Sequence, residues 1–468
     1  MVQLCYIINM TQSSRIWLPA IVAGDGEIGY KRLAAAIEED VDRSVLVPGM
    51  RLPTHRRLAE ALGISIGTVT KAYAEAERRG LLAGEVGRGT FISGRGAAPE
   101  PGGPIDLASN LPPSGVLDSL LASSMVALAQ QGCAADLLAY APPGGSRRNR
   151  DAGVLWLLER GVSTGVERVL VTVGAQQALF LALGILCRTG EQVLTEGASF
   201  FGIKHLAAQF HLQLVGVAMD DEGLDPAALE DAAVRSGAKV LYTLPTLQNP
   251  TARTMSVARR QAVIAVARKL GLWIVEGDVY GALPVDSPPP IAALAPDITF
   301  YVTSMSKIMA PGLRVGYLVL PGERYAETAL QAIRASCWTA PQWAPTLVSD
   351  WIESRRSEDV VLQMRAAVRA RMDAARRILP TTLLPAGHLD SFHLWLPMDE
   401  LAAERVASRA MRKHVALTPP NLPVVTPGLV SGLRICLCAT PDLLRLEHGL
   451  RVVIAAMDPW CSAEDAVV

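Results

Sequence analysis

A lysine in the second half of the chain has neighbours that could make its amine reactive. Lys307 lies in the stretch SMSKIMAPGLRVG (304–316), directly after the predicted strand Thr299–Val302, and Arg314 follows seven residues later. A lysine that attacks an aldehyde needs a lowered pKa, which burial and nearby cations provide. Serine hydroxyls and an arginine beside it could bind a phosphate group. The pattern predicts an imine-forming lysine next to a phosphate clamp, and the alternative is a surface lysine in a loop rich in glycine and proline.

Residues upstream of this lysine could hold the ring of an aromatic cofactor. Asp278 and Tyr280 follow the apolar strand Leu272–Val275, and Asn249 lies in the turn LQNPT (247–251). A carboxylate at a strand end can keep a pyridine nitrogen protonated, which makes the ring an electron sink. The tyrosine hydroxyl and the asparagine amide could reach a phenolic oxygen of the same ring. Each pattern is weak alone, and their order along the chain is what indicates a single site.

A glycine before a predicted helix supplies a second phosphate contact. The stretch VGAQQAL (173–179) joins a strand to a helix through Gly174, and free backbone amides at a helix N-terminus bind phosphate.

A β-sheet must bring together the strand ends that carry these motifs. After residue 105, apolar runs alternate with amphipathic stretches of helical length, which favours a mostly parallel sheet covered by helices. The apolar runs are Val169–Val173, Gln192–Thr195, Val240–Thr243, Leu272–Val275 and Thr299–Val302.

A different pattern occupies the N-terminal part of the chain. Thr54 can cap a short helix that ends at Gly63, and Ser65 can cap a second helix that ends at Gly80. Apolar residues on both sides of the turn EVGRG (85–89) then predict a β-hairpin. Two short helices followed by such a wing are what a helix-turn-helix DNA reader requires, with its second helix in the major groove. An ordinary helical hairpin with solvated basic residues is the alternative.

Composition divides the 468 residues into an N-terminal tail (1–25), a winged helix-turn-helix domain (26–93), a linker (94–105) and an α/β domain (106–468). The linker is rich in glycine, proline and alanine and has no periodicity. From Arg51 to Ser93, seven lysines and arginines stand against four acids, whereas the whole chain has a formal net charge of −1. A basic module on a near-neutral body indicates a polyanionic partner at one end only.

Several classes of protein are excluded by the composition. With 50% hydrophobic and 19% charged residues the chain can fold, and no apolar run reaches the ~18 residues that span a bilayer. The stretch 2–10 is too short and uncharged for a secretory signal, and either Met1 or Met10 could be the true start. Seven scattered cysteines favour free thiols in the cytoplasm, and no histidine or cysteine spacing predicts a metal site.

The N-terminal module resembles the winged-helix domain of the GntR family of regulators. The resemblance rests on the stretches LPTHRRLAEALG (52–63), SIGTVTKAY (65–73) and GRGTF (87–91). It implies double-stranded DNA as a partner, with Arg56, Thr68, Lys71 and Arg88 as the DNA contacts. Ile66 stands where the family often has a base-reading arginine, and it could instead contact a thymine methyl.

The C-terminal module, from Asp106 to Trp460, resembles the fold-type I aminotransferases, and in particular the aminotransferase-like body of MocR-type regulators. This resemblance implies pyridoxal 5'-phosphate as the cofactor and Lys307 as the catalytic residue that forms the internal aldimine. Asp278 would pair with the pyridine nitrogen. Phe200 stands where the family commonly has a tyrosine and can still stack on the ring. The remaining implied cofactor contacts are Asn249 and Tyr280 at the ring oxygen and Ala175, Gln176, Ser304 and Arg314 at the phosphate.

Two further matches concern the ligand and the assembly. Arg434 in LRI (433–435) stands at the place of the arginine that binds a substrate carboxylate in the family, and a structural arginine on a strand is the alternative. Tyr140 in YAPPGG (140–145) resembles the tyrosine that reaches the cofactor phosphate of the neighbouring subunit. The resemblance therefore implies a homodimer, and domain swapping would dock the head of one chain on the body of the other.

The two modules together leave three functions open. The first is a transcriptional regulator that senses an amino compound through aldimine exchange at Lys307, with the aminotransferase-like domain used for sensing rather than turnover. The second is an active aminotransferase with an autoregulatory DNA-binding head, and the third is a regulator that senses pyridoxal phosphate itself. The complete DNA-binding head favours the first. No residue identifies the effector, the operator or the direction of regulation.

Overall fold

The computed structural model describes residues 17–19, 29–43, 45–46, 50–79, 81–85, 89–92, 103–130, 137–383 and 390–457. The chain divides into two units, Met1–Gly103 and Pro104–Val468, which we call the head and the body. Most of the tail and linker predicted from the sequence lies outside the described residues. The last residue of the predicted linker, Ile105, already belongs to a strand of the body.

Three helices and a β-hairpin make up the described part of the head. The elements are α1 (Tyr30–Asp42), α2 (His55–Leu62), α3 (Ile66–Arg78), β1 (Leu82–Glu85) and β2 (Gly89–Ile92). The strands β1 and β2 pair antiparallel, with Leu82 opposite Ile92. The winged helix-turn-helix predicted from the sequence is confirmed.

Caps and a small apolar core hold α2 and α3 in place. Thr54 accepts a hydrogen bond from the Arg57 amide, and Ser65 accepts one from the Thr68 amide at 3.0 Å. Each cap satisfies a backbone donor that the helix itself leaves open. Gly63 ends α2 at φ 65°, in the left-handed region that glycine adopts without strain. Beneath the helices lie buried apolar side chains, among them Leu33, Ile37, Leu58, Val69 and Tyr73.

The body is built on a seven-stranded sheet. The strands of the body, including those outside this sheet, are in chain order β3 (Ile105–Leu107), β4 (Val169–Thr172), β5 (Gln192–Glu196), β6 (Gln213–Val217), β7 (Met219–Asp220), β8 (Gly223–Leu224), β9 (Val240–Thr243), β10 (Trp273–Gly277), β11 (Thr299–Ser304), β12 (Gly316–Val319), β13 (His393–Pro397), β14 (Val415–Leu417) and β15 (Gly432–Cys436). The seven-stranded sheet has the order β4-β12-β11-β10-β9-β5-β6. All its neighbours are parallel except β12, which is antiparallel to both β11 and β4. The mostly parallel sheet predicted from the sequence is confirmed.

Helices pack on both faces of this sheet. The helices of the body within the described residues are α4 (Asp118–Gln130), α5 (Arg147–Glu159), α6 (Gly174–Leu186), α7 (Gly202–Phe210), α8 (Pro226–Ser236), α9 (Val257–Leu270), α10 (Ile291–Leu294), α11 (Ala326–Ser336), α12 (Trp343–Glu353), α13 (Arg356–Ile378), α14 (Glu400–Arg412) and α15 (Leu443–Met457). Of these, α14 and α15 pack on the short strands β3 and β14 and not on the large sheet. Side chains alternate between the faces along a strand. Val275 on β10 therefore packs with Leu181 of α6, whereas Ile274 packs with Val263 of α9.

Three short pairs of strands complete the described part of the body. Strand β7 pairs antiparallel with β8, β13 pairs antiparallel with β15, and β3 pairs parallel with β14. Because β14 and β15 contact each other, the last two pairs place β3, the first strand of the body, close to β15, which carries Arg434. Among the helices within the described ranges, none is long and apolar enough to cross a membrane.

Candidate functional site

A cavity of about 460 Å³ lies where β9, β10 and β11 end. Parallel strands place their carboxyl ends at one edge of a sheet, and this edge is where α/β folds bind ligands. The cavity wall is lined by nine residues that the sequence analysis singled out: Ala175, Gln176, Phe200, Asn249, Tyr280, Ser304, Lys307, Arg314 and Arg434. Asp278 lies behind the wall, between the lining residues Gly277 and Val279. Residues from distant parts of the sequence therefore meet in one place.

Lys307 is held in the turn after β11. Its Nζ donates a hydrogen bond to the backbone oxygen of Asn110. Burial, together with the cations of Arg434 and Arg314, lowers the pKa of the Lys307 amine to about 8. An amine with such a pKa is partly neutral at physiological pH, and only the neutral form is a nucleophile. The lysine singled out from the sequence thus lines this cavity as a largely buried amine.

Asp278 follows β10 and is 3% exposed. One carboxylate oxygen, Oδ2, accepts a hydrogen bond of 2.7 Å from the hydroxyl of Tyr301. The other, Oδ1, is buried and has no hydrogen-bond partner among the described residues. A buried acceptor without a partner is costly. A protonated ring nitrogen would supply the missing donor, so this carboxylate fits the pyridine of pyridoxal phosphate.

Tyr280 is buried in the cavity wall and keeps its proton. Burial raises the pKa of the Tyr280 hydroxyl well above its usual value. The Asn110 amide nitrogen donates to this hydroxyl at 2.8 Å. Because the hydroxyl accepts from Asn110, its own proton is available to an acceptor elsewhere in the cavity.

One end of the cavity is suited to a phosphate. Ala175 and Gln176 lie in the first turn of α6, where backbone amides point away from the helix. The Arg314 guanidinium donates to the backbone oxygen of Val173 at 3.0 Å, next to that turn. Gly174 has φ 75°, in the left-handed region that favours glycine, and a Cβ there would lie 2.9 Å from Arg314 Nη2, so a larger residue would strain the backbone and displace the guanidinium. A cation and a helix N-terminus together match a phosphate dianion.

Hydroxyl groups extend this phosphate end. The Ser304 hydroxyl lies 2.9 Å from the Ser306 hydroxyl and 3.0 Å from the backbone oxygen of Val315. Both serines line the cavity. Phe200 also lines the wall, with its ring centroid 5.1 Å from that of Phe201. The wall thus offers an aromatic face beside the polar groups, as the sequence predicts.

Arg434 is a second cation that lines the cavity. It is 4% exposed, and its Nη1 donates to Asn249 Oδ1 at 2.8 Å while its Nη2 donates to the Ala108 backbone oxygen at 3.0 Å. Asn249 precedes a cis peptide bond to Pro250. A buried guanidinium in a cavity wall can bind a carboxylate in a bidentate way. The arrangement therefore provides one cation for a phosphate and a second for a carboxylate.

Tyr140 is placed differently from these residues. It is 83% exposed, and its ring contacts that of Trp338 with the centroids 6.3 Å apart. The sequence analysis assigned Tyr140 to the cofactor site of a neighbouring subunit, and an exposed position is what that assignment requires. It stays a prediction for the assembled protein.

Three residues of the site were missed from the sequence. Asn110 donates a hydrogen bond to Tyr280, and Tyr301 donates one to Asp278. The third residue, His393, is fully buried and contacts Asn110. Tyr301 lies in the strand just before Lys307, and all six residues of that strand are buried, so a polar hydroxyl within this apolar run could have identified it. Asn110 and His393 lie far from the other motifs and carry no signal in the sequence.

In the head, the predicted contact residues lie on α2 and α3. Arg56 and Lys71 are exposed, and neither forms an ion pair with another described residue. Thr68 is partly buried, and its hydroxyl lies 2.8 Å from that of Ser65. Ile66, the first residue of α3, is 51% exposed. Arg88 lies outside the described residues.

Comparison with known proteins identifies both units. Residues 29–92 match the family of bacterial regulatory proteins named gntR, and residues 103–453 match the family of class I and II aminotransferases. The uncharacterized HTH-type transcriptional regulator YdeF of Bacillus subtilis (strain 168) is 27% identical over 450 residues, which cover 94% of this chain and 97% of that protein.

Solved structures resemble the body. The Pyrococcus horikoshii kynurenine aminotransferase has a TM-score of 0.69 at 23% identity, covering 78% of this chain and 92% of its own. LysN, the α-aminoadipate aminotransferase of Thermus thermophilus, has a TM-score of 0.68 at 26% identity, covering 76% and 92%. The LysN structure holds N-(5'-phosphopyridoxyl)-L-leucine. Together with the fit of Asp278 and the phosphate end, these matches indicate that the cofactor is pyridoxal phosphate.

Proposed function

We propose that this chain, which belongs to the aminotransferase class I and II family, is a regulator of the MocR type that senses an amino compound at the cofactor site of its body. The chain is a transcriptional regulator with a GntR head and an aminotransferase-like body. Sensing of an amine is supported above all by the largely buried amine of Lys307, with a pKa of about 8, in a cavity that Arg434 also lines.

The residues around the cavity divide the work of binding the cofactor. When bound, pyridoxal phosphate supplies an aldehyde that condenses with primary amines and a ring that withdraws electrons. Asp278 would hold a proton at the ring nitrogen, because its free Oδ1 lacks a donor. The Tyr280 hydroxyl and the Asn249 amide would bind the ring oxygen. The amides of Ala175 and Gln176, the Ser304 hydroxyl and the Arg314 cation would bind the phosphate.

Lys307 and Arg434 together define the class of ligand. Lys307 holds an amine that can exchange with the amine of a ligand, because burial keeps part of it neutral. Arg434 offers a guanidinium that can pair with a carboxylate. We therefore expect the effector to be a primary amine with a carboxylate or a similar acid group, such as an amino acid.

A response requires that the ligand binds two conformations with different affinity. The head has contact residues of its own and takes no part in amine chemistry, so its presence on the same chain favours sensing. The complete set of site residues in one cavity favours a second candidate, an active aminotransferase with an autoregulatory head. A regulator that senses pyridoxal phosphate itself remains the third hypothesis.

The assembly that we propose is a homodimer. Tyr140 and Trp338 are 83% and 54% exposed, and such large exposed aromatic side chains are typical of interaction surfaces. In the dimer, Tyr140 would reach the phosphate end of the partner's cavity. Light scattering of the cofactor-loaded protein should give twice the mass of the chain, and a monomer would contradict this arrangement.

The coupling between cofactor site and DNA can be tested directly. Operator duplexes would be selected from a random DNA pool, and their Kd would be measured by fluorescence anisotropy with and without a panel of carboxylated primary amines. In the wild-type protein an effector should change the Kd by about 5- to 150-fold, the range of common coupling energies. In Lys307→Ala the same amines should have no effect, while binding without amine persists. An equal response in both proteins would contradict sensing at Lys307.

A further inference from the structure

We propose that Asn110 is a positioning residue of the cofactor site and that His393 fixes the orientation of its amide. The inference rests on the proposed function, because it concerns how Lys307 and Tyr280 are held toward the cofactor. Asn110 contacts both: its backbone oxygen accepts from Lys307 Nζ, and its side-chain nitrogen donates to the Tyr280 hydroxyl at 2.8 Å. It lines the cavity between them.

His393 determines which way the Asn110 amide points. The Nε2 atom of His393 lies 3.1 Å from the backbone oxygen of Gln248, and a carbonyl can only accept, so Nε2 carries the proton. In the neutral ring Nδ1 is then an acceptor. It lies 3.1 Å from Asn110 Nδ2, which must donate to it. The Gln248 carbonyl therefore selects the histidine tautomer, and the tautomer selects the amide orientation.

The opposite orientation of the amide would be unfavourable. It would place Asn110 Oδ1 against the lone pair of His393 Nδ1, where two acceptors repel. In the orientation observed, Nδ2 uses both its hydrogens, one on His393 and one on the Tyr280 hydroxyl. In this contact the Tyr280 hydroxyl therefore accepts, and its own proton cannot be donated to Asn110. His393 thus controls, through Asn110, the direction in which Tyr280 donates.

The fold keeps Asn110 at a cost. Its Oδ1 is buried and has no hydrogen-bond partner among the described residues. A buried acceptor without a partner destabilises the folded state, so a residue chosen for stability alone would not be an asparagine. Two positions earlier, the backbone oxygen of Ala108 accepts from Arg434. One loop after β3 therefore holds the lysine, the tyrosine and the arginine of the site.

The test is a pH titration of the visible absorption band of the cofactor-loaded, full-length protein. Tyr280 that donates to the ring oxygen stabilises negative charge there, so a weaker donor should raise the midpoint pH at which the band converts. We compare the wild type with Asn110→Ala, His393→Phe, Tyr280→Phe and the double variant Asn110→Ala/Tyr280→Phe. His448→Phe, which removes an exposed histidine on α15, is the matched control.

The expected result is a rise of the midpoint by about half a pH unit in Asn110→Ala and in His393→Phe, since hydrogen bonds in a chain strengthen one another. Tyr280→Phe should give a larger rise, and the double variant should equal Tyr280→Phe. His448→Phe should titrate like the wild type. Thermal unfolding and cofactor content would establish that each variant is folded and loaded, and His393→Phe retains an aromatic ring if Asn110→Ala fails to fold.

Two results would overturn the inference. Folded and loaded Asn110→Ala and His393→Phe could titrate like the wild type, or the shifts of Asn110→Ala and Tyr280→Phe could add in the double variant. Either would mean that Asn110 does not act through Tyr280. A wild-type protein without any visible band is a different outcome, because it would refute the proposed cofactor site itself and the inference with it.

Discussion

In the head, the predicted contact residues Arg56 and Lys71 lie on the surface, whereas in the body Asp278 and Arg434 are buried and Lys307 is partly buried in the cavity wall. Arg56 and Lys71 form no ion pair with other described residues, unlike Arg43 and Arg79 of the same unit. The body residues are bound to one another or to the backbone, as in the bond of Arg434 to Asn249. The two regions therefore recognise their ligands by different physical means.

The difference determines what a substitution does. Exposed cations bind phosphates through contacts that solvent and salt screen, so removing one cation lowers the affinity for DNA and changes little else. Buried groups hold one another at fixed positions, and removing one disturbs several contacts. We expect head variants to change DNA binding alone, and body variants to change cofactor chemistry and, through it, the response to a ligand.

The largest effect should come from Lys307→Ala. The visible band of the imine should disappear, because Lys307 is the only lysine among the described residues that line the cavity. DNA binding without effector should remain near the wild-type level, as measured by anisotropy on the same preparation. A loss of both would show that the two regions are not separable in this way.

Arg434→Ala should weaken the response to carboxylated amines by about 2–3 kcal/mol, roughly 100-fold, since hydrogen bonds between charged groups carry energies of this size. The measurement is a spectral titration with an amino acid and, as control, with an alkylamine that has no carboxylate. The alkylamine should bind as in the wild type. Equal losses for both ligands would assign Arg434 a structural role through Asn249 and Ala108.

If Lys71 reads a base, Lys71→Ala should weaken binding to the operator by about 1–3 kcal/mol and leave binding to random duplexes nearly unchanged. If Lys71 touches a phosphate, the substitution should weaken binding to all sequences equally. Anisotropy on operator and random duplexes at two salt concentrations separates these cases. The visible spectrum should stay unchanged. A change in the spectrum would show that a substitution in the head also alters the cofactor site.

The pH dependence of cofactor loading follows from the pKa of Lys307. An amine is neutral above its pKa, and for a pKa of about 8 the neutral fraction grows about fivefold from pH 7 to pH 8. The rate at which the visible band forms after pyridoxal phosphate is added should rise accordingly and level off above pH 9. A rate that keeps rising tenfold per unit to about pH 10 would indicate an ordinary exposed lysine.

The smallest effect should come from Tyr73→Phe in the head. Its hydroxyl donates to the Pro53 backbone oxygen at 2.9 Å, and the loss of one such bond costs about 1 kcal/mol. Hydrogen exchange of the α3 amides should report faster opening, with Tyr30→Phe, at an exposed position, as control. The cofactor spectrum should not change. Unaltered exchange in Tyr73→Phe would show that this bond contributes nothing.

The sequence was sufficient for elements and motifs that are local. The caps at Thr54 and Ser65 and the strand that precedes Lys307 depend on neighbouring residues, and each is present as predicted. Asn110 and His393 escaped prediction because their contacts join positions separated by 170 and 283 residues. Such contacts depend on the packing of β3 and β13, which no local pattern specifies.

If the body senses an amine without converting it, the visible absorption spectrum of the purified protein will show this during titration with carboxylated primary amines. We expect a band that shifts with a ligand and then stays, with no pyridoxamine phosphate formed. Progress to pyridoxamine phosphate, reversed by an added keto acid, would contradict it and identify a working aminotransferase joined to a DNA-binding head.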